Sequence, residues 1–86
     1  MTIKTHKFNG RLYAIDFDDC VGICQPPDNS LPTIYFPHGL DSSRKSLEIV
    51  IHEAIHACYF DMPEDRVDIL ARDLSIFLWK LKYRKG

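Results

Sequence analysis

Ser46-Leu47-Glu48-Ile49-Val50-Ile51-His52-Glu53-Ala54-Ile55-His56-Ala57-Cys58-Tyr59 is an apolar segment of helix length with two imidazoles and a carboxylate at its centre. Residues four apart share one face of a helix, so His52 and His56 can grip one metal ion from the same side. Glu53 lies beside that face, where it can take a proton from a water held by the ion; this is the logic of the H-E-x-x-H spacing. Leu47, Ile49, Val50, Ile51, Ala54, Ile55, Ala57 and Cys58 go most of the way round the helix. A helix apolar on nearly all sides is expected to be central and buried. Unpaired polar groups in its middle would be costly, and a metal ion supplies a partner.

On either side of this segment the chain carries helix punctuation. Asp41, Ser42 or Ser43 can cap the first helix, expected over about Ser42 to Phe60. Asp61-Met62-Pro63-Glu64 reads as a second start: Asp61 as cap, proline in the first turn, Glu64 at the capping-box position. Val67, Leu70, Leu74, Phe77, Leu78 and Leu81 then follow the helical period to about Tyr83. The short turn makes the two helices antiparallel neighbours. The small residues Ala71 and Ser75, on the face of Glu64 and Asp68, let them approach closely.

Upstream, the pattern changes to short strands and loops. Thr2 to Phe8 alternates, Asn9-Gly10 is a hairpin turn signal, and Arg11 to Phe17 is the return strand. Cys20 to Cys24 suits a brief extended piece, and Gln25 to Ser30 is a loop by composition. Thr33-Ile34-Tyr35-Phe36 reads as a strand between Pro32 and Pro37, a context that suits a sheet edge. At an edge it could hold an extended peptide by strand pairing. The expected fold class is α+β: a small antiparallel sheet over residues 1–40, then two antiparallel helices over 41–86, in one domain spanning residues 1–86.

A catalytic metal usually takes three protein ligands and one water, so two histidines leave one ligand to find. The chain has three glutamates, Glu48, Glu53 and Glu64. Glu64 stands just past the inter-helix turn, and an antiparallel return brings it toward His52 and His56. Asp68 and Asp65 compete for the same place, ranked after Glu64. As an alternative role, Asp68 can accept the free N–H of a ligand histidine and fix its tautomer.

The pair H-E-x-x-H (His52 to His56) and E-x-x-x-D (Glu64 to Asp68) resembles the gluzincin pattern of thermolysin-type metallopeptidases. The second half of the chain, including Leu78-Trp79-Lys80-Leu81, is also similar to small H-E-x-x-H proteins of phages and mobile elements, distant relatives of the ImmA/IrrE-type peptidases. The resemblance implies a minimal zincin-like fold and a Zn2+ ion held by His52, His56 and Glu64. It further implies Asp68 orienting a ligand histidine and Glu53 as general base in peptide hydrolysis. A protein or peptide substrate and a location in the (host) cytoplasm are expected with it. Such enzymes often add a Tyr or His at the oxyanion; Tyr35, His38, Tyr59 and Tyr83 are the candidates. The alternative from another class is a zinc-stabilised regulatory or protein-binding module without turnover.

Composition narrows the field further. At 86 residues the chain buries only about 60% of its unfolded surface, and a bound ion would add folding free energy. The net charge of −1 provides no general attraction to nucleic acid or anionic membrane. No apolar run reaches the roughly 20 residues of a membrane span, and Met1 to Lys7 lacks the apolar core of a signal peptide. Cys20, Cys24 and Cys58 are expected as reduced side chains near the core. His6 and His38 are read as surface residues, Asp16, Asp18 and Asp19 as a solvated turn, and the Lys80–Lys85 end as complementing a helix dipole. Ile69 and Ile76 lie off the main stripe of the second helix, and a face so apolar points to a homodimer.

Overall fold

The computed structural model describes residues 5–17, 23–24 and 31–83, the last of these continuously from the loop before the final strand to the end of the second helix. Among the described residues, four strands are followed by two helices: β1 (Thr5–Phe8), β2 (Arg11–Phe17), β3 (Ile23–Cys24), β4 (Thr33–Phe36), α1 (Arg44–Cys58) and α2 (Glu64–Lys80). Asn9 and Gly10 both adopt positive φ, 51° and 79°. That is the backbone a two-residue hairpin needs to match the strand twist, and it sets Phe8 opposite Arg11.

The α+β class is as the sequence indicates: a mostly antiparallel sheet, then two helices packed on each other. One pairing departs from a purely antiparallel sheet. The strand order is β1-β2-β4-β3, and β2 and β4 run parallel, Ile15 beside Ile34 and Phe17 beside Phe36. Strand β4 is therefore interior, with β3 antiparallel on its other side at Ile34 and Tyr35. The edge expected for Thr33–Phe36 does not exist at those two residues, because both neighbours already use the ladder. The flanking prolines remain compatible: Pro32 lies outside the strand, and its carbonyl accepts from Ala14 N at 2.9 Å.

Tyr13, Ile34, Phe36 and Ala57 form the core, with Phe8, Ile15, Leu40 and Ile49 packed around them. Tyr13 and Phe8 meet edge to face at 5.7 Å between centroids, the favoured geometry for an aromatic pair. Helix α1 lies between the sheet and α2, in contact with both. It is central but less enclosed than its composition suggests. Ser46, Glu53 and Ala57 are its buried residues, and Val50 is exposed, because one thin layer on each side cannot cover a whole helix.

Ser43 is the cap of α1: its hydroxyl accepts from Ser46 N at 3.1 Å. Asp41 reinforces it by accepting from Ser43 N at 2.9 Å and from the Ser46 hydroxyl at 2.9 Å. The expected cap of α2 is corrected. Asp61 lies in the turn, the cap position is Pro63, and no side chain caps that end. The Pro63 carbonyl takes the Arg66 and Val67 amides at 3.0 and 3.1 Å instead. Cys58 is a free, exposed thiol at the end of α1 rather than a core residue. Cys20, Asp18 and Asp19 lie outside the described residues, as does the side chain of Cys24.

Candidate metal centre

His52 and His56 occupy successive turns of α1, and their rings meet at 4.9 Å between centroids. Their Nε2 atoms are 3.2 Å apart. Glu64 is the first residue of α2, where a carboxylate suits the positive end of the helix dipole. Instead of folding back as a capping box, it spans the gap to α1. Its Oε1 lies 2.8 Å from His52 Nε2 and its Oε2 lies 3.0 Å from His56 Nε2. Asp68, one turn further along α2, places Oδ1 at 3.3 Å from His52 Nδ1. Among the described residues, His52, His56 and Glu64 form a group that can hold a metal ion. Asp65 is exposed and outside it.

The donor set can be tested for fit. A tetrahedral ion with nitrogen and oxygen donors at about 2.0–2.1 Å holds those donors about 3.3–3.4 Å from one another. Here the two Nε2 atoms stand 3.2 Å apart, close to that spacing, and Glu64 sets a different oxygen against each, at 2.8 and 3.0 Å; the histidines are half-buried and Glu64 is exposed. The chemistry agrees. If His52 donates its Nδ1 proton to Asp68, a neutral ring turns an Nε2 lone pair toward a carboxylate oxygen. Lone pair facing lone pair at 2.8 Å requires a cation between them, either a proton or a metal. The residues present fit a divalent ion of the kind that imidazole and carboxylate ligate.

Glu53 is buried, and burial pushes its carboxyl above the ordinary range. The nearby His52 imidazole works against that rise and Glu64 adds to it. It is therefore a carboxylate with enhanced proton affinity next to the histidine pair. A cleft of about 420 Å3 opens between the Asn9–Gly10 hairpin and the Tyr59–Asp61 turn and reaches Ala57, the residue after His56. Of the oxyanion candidates, Tyr59 and Tyr83 are well exposed beyond the ends of α1 and α2. Exposed His38 stacks on Phe17 at 6.1 Å, and Tyr35 lies in the interior strand.

Hydrogen bonds at two places outside the group hold these elements together. The Asn9 side-chain amide donates to the Cys58 carbonyl at 3.1 Å, tying the hairpin to the end of α1. At the other end of the helix pair, Arg44 Nη1 donates to Glu48 Oε1 at 2.6 Å and to Ser75 Oγ at 3.0 Å. Ser75 is fully buried and donates in turn to the Arg72 carbonyl at 2.8 Å. Its sequence trace is the four-residue spacing of Arg44 and Glu48, a common helix ion pair; Ser75 carries no such signal. Comparison with family models, with curated proteins and with solved structures finds no match for this chain.

Proposed function

We propose that this chain is a zinc-dependent peptidase. The observation that carries the reading is the convergence of His52, His56 and Glu64 from two helices, with the proton-hungry Glu53 beside them. His52 Nε2, His56 Nε2 and a Glu64 oxygen would hold the ion, and Asp68 would keep His52 in the tautomer that presents Nε2. Bound zinc supplies Lewis acidity, which acidifies water and polarises a carbonyl. Glu53 takes a proton from the attacking water at its carboxylate and passes it to the leaving amine nitrogen. Its raised proton affinity suits both halves of that transfer. No helix among the described residues is long and apolar enough to cross a membrane.

The test is Glu53→Gln. It should lower peptide hydrolysis by about 10²–10⁴-fold, the usual weight of a general base, with fold and metal content retained. The second reading, a zinc-stabilised regulatory or protein-binding module, draws on the thinness of the core, where Tyr13, Ile34, Val67 and Ala71 are the fully buried apolar side chains of the described helices and strands. A biological activity that survives Glu53→Gln would select it.

A further inference from the structure

Helix α2 has two apolar faces. Val67, Ala71 and Ser75 are fully buried, on the face that packs on α1. Leu70, Leu74, Phe77 and Leu81, the last capping the end of α2, follow one another at intervals of four, three and four residues, and each is between 37% and 58% exposed. That spacing is the a/d seam of a two-helix pair, running roughly 16 Å along the helix. Isolated exposed apolar residues are normal, but an aligned series on one helix face marks an interaction surface.

The charges beside the seam say what covers it. Arg66, Asp73 and Lys80 form one rim at seven-residue intervals, all exposed. The opposite rim, toward α1, carries the uncharged Ala71 and Leu78. A parallel copy would set the charged rim of one helix against that uncharged rim, and bring like helix ends together. An antiparallel copy behaves differently. Leu70 meets Leu81 of the second copy, Leu74 meets Phe77, and the reciprocal contacts follow from the twofold axis. Asp73 then lies near Lys80 of the second copy, twice per pair. The helix dipoles of the two copies also oppose one another. The face is self-complementary in the sense a twofold interface requires.

We propose that this chain forms a homodimer through an antiparallel pairing of α2 along Leu70, Leu74, Phe77 and Leu81, flanked by reciprocal Asp73–Lys80 pairs. The metal-ligand face of α2 lies on the other side of Val67 and Ala71 and stays outside the contact, so the proposal is independent of the reading of the metal centre.

Sedimentation velocity of the full chain over a concentration series tests it. A species of twice the chain mass is expected. Leu74→Glu/Phe77→Glu should weaken the dimer by a hundredfold or more, roughly what desolvating charges in an apolar seam costs, with circular dichroism unchanged because both positions are at the surface of the monomer. Asp73→Lys should weaken it by about tenfold. The swapped variant Asp73→Lys/Lys80→Asp should recover the wild-type constant, which a parallel pair would not do. A wild-type chain that stays monomeric up to hundreds of micromolar, a dimer indifferent to the seam variant, or a swap no better than Asp73→Lys alone would each overturn the proposal. Binding of a different protein's helix to a monomeric chain would also overturn it.

Discussion

The two ends of the α1–α2 pair solve the same problem differently. Both bring polar side chains together between the helices. At one end Arg44, Glu48 and Ser75 form a set in which a guanidinium is the permanent cation and every contact runs from donor to acceptor. At the other end two imidazoles converge on Glu64, with Asp68 behind His52, and among the described residues the ion pairs of that group involve histidines rather than arginine or lysine. The first end balances its own charge. The second, with neutral imidazoles, carries two carboxylates and can take up a proton or a metal ion, and that capacity separates a structural cluster from a site.

Removing the ion should expose this difference most strongly. Exhaustive chelation, or His56→Ala, is expected to lower unfolding free energy by about 4 kcal/mol where free metal had stood a thousandfold above its Kd. Denaturant titration with and without zinc reads this, and Arg44→Met should leave the zinc-dependent increment intact. Equal stability with and without metal would erase the contrast.

Next in size, Asp68→Asn should weaken metal binding by about 10–100-fold, the usual cost of losing a carboxylate behind a ligand histidine. Competition with a chromophoric chelator measures it. An unchanged affinity would mean that the 3.3 Å contact to His52 Nδ1 is incidental.

A smaller effect is expected at the self-balanced end. Arg44→Met should cost about 1–3 kcal/mol, because half-buried Glu48 loses its closest charged partner, with Lys45 further off at 3.8 Å, and buried Ser75 loses a donor. The loss should also depend on pH. The Arg44 hydrogen bond holds Glu48 below its ordinary value of 4.5, and the Ser43 and Ser46 bonds hold Asp41 down to about 2. A carboxyl depressed in the folded state adds stability above its unfolded value and loses it as the pH falls through the folded one. Stability should therefore drop from about pH 4.5 toward about pH 2, with the Glu48 part of that slope reduced in Arg44→Met, where Lys45 and Arg72 still act on it. An identical acid profile in both proteins would show that Arg44 does not hold Glu48.

The smallest change concerns the end of α2. Lys82 sits at φ 69° in a left-handed closing turn, with Lys82 N donating to the Trp79 carbonyl and Tyr83 N to that of Leu78, both at 3.0 Å. Glycine adopts that conformation without a Cβ penalty, so Lys82→Gly should raise stability by about 1 kcal/mol. A decrease would mean that the lysine side chain contributes more than its backbone conformation costs.

Much of this was readable from residue types alone. Asn9-Gly10 announces its hairpin, Arg11–Phe17 and Thr33–Phe36 match their strands, and the helical period locates both helices to within a few residues. The spacing of His52, His56, Glu64 and Asp68 is local to two helices joined by a short turn, so periodicity alone brings the four side chains to one place. The parallel pairing of β2 with β4 was not readable, because an alternating pattern says which face a residue takes and not which strand lies beside it. Asp61 carried a capping signal that the turn geometry overrode. Half-exposed Val50 shows that an all-apolar helix in a chain of 86 residues has too few neighbours to be enclosed.

The central claim is that a divalent ion is clasped by His52, His56 and Glu64 between α1 and α2. Elemental analysis of the purified protein beside His52→Ala tests it most directly. About one zinc per chain in the native protein and almost none in the variant is the predicted result; a folded native protein without metal, or equal metal in both, would contradict it.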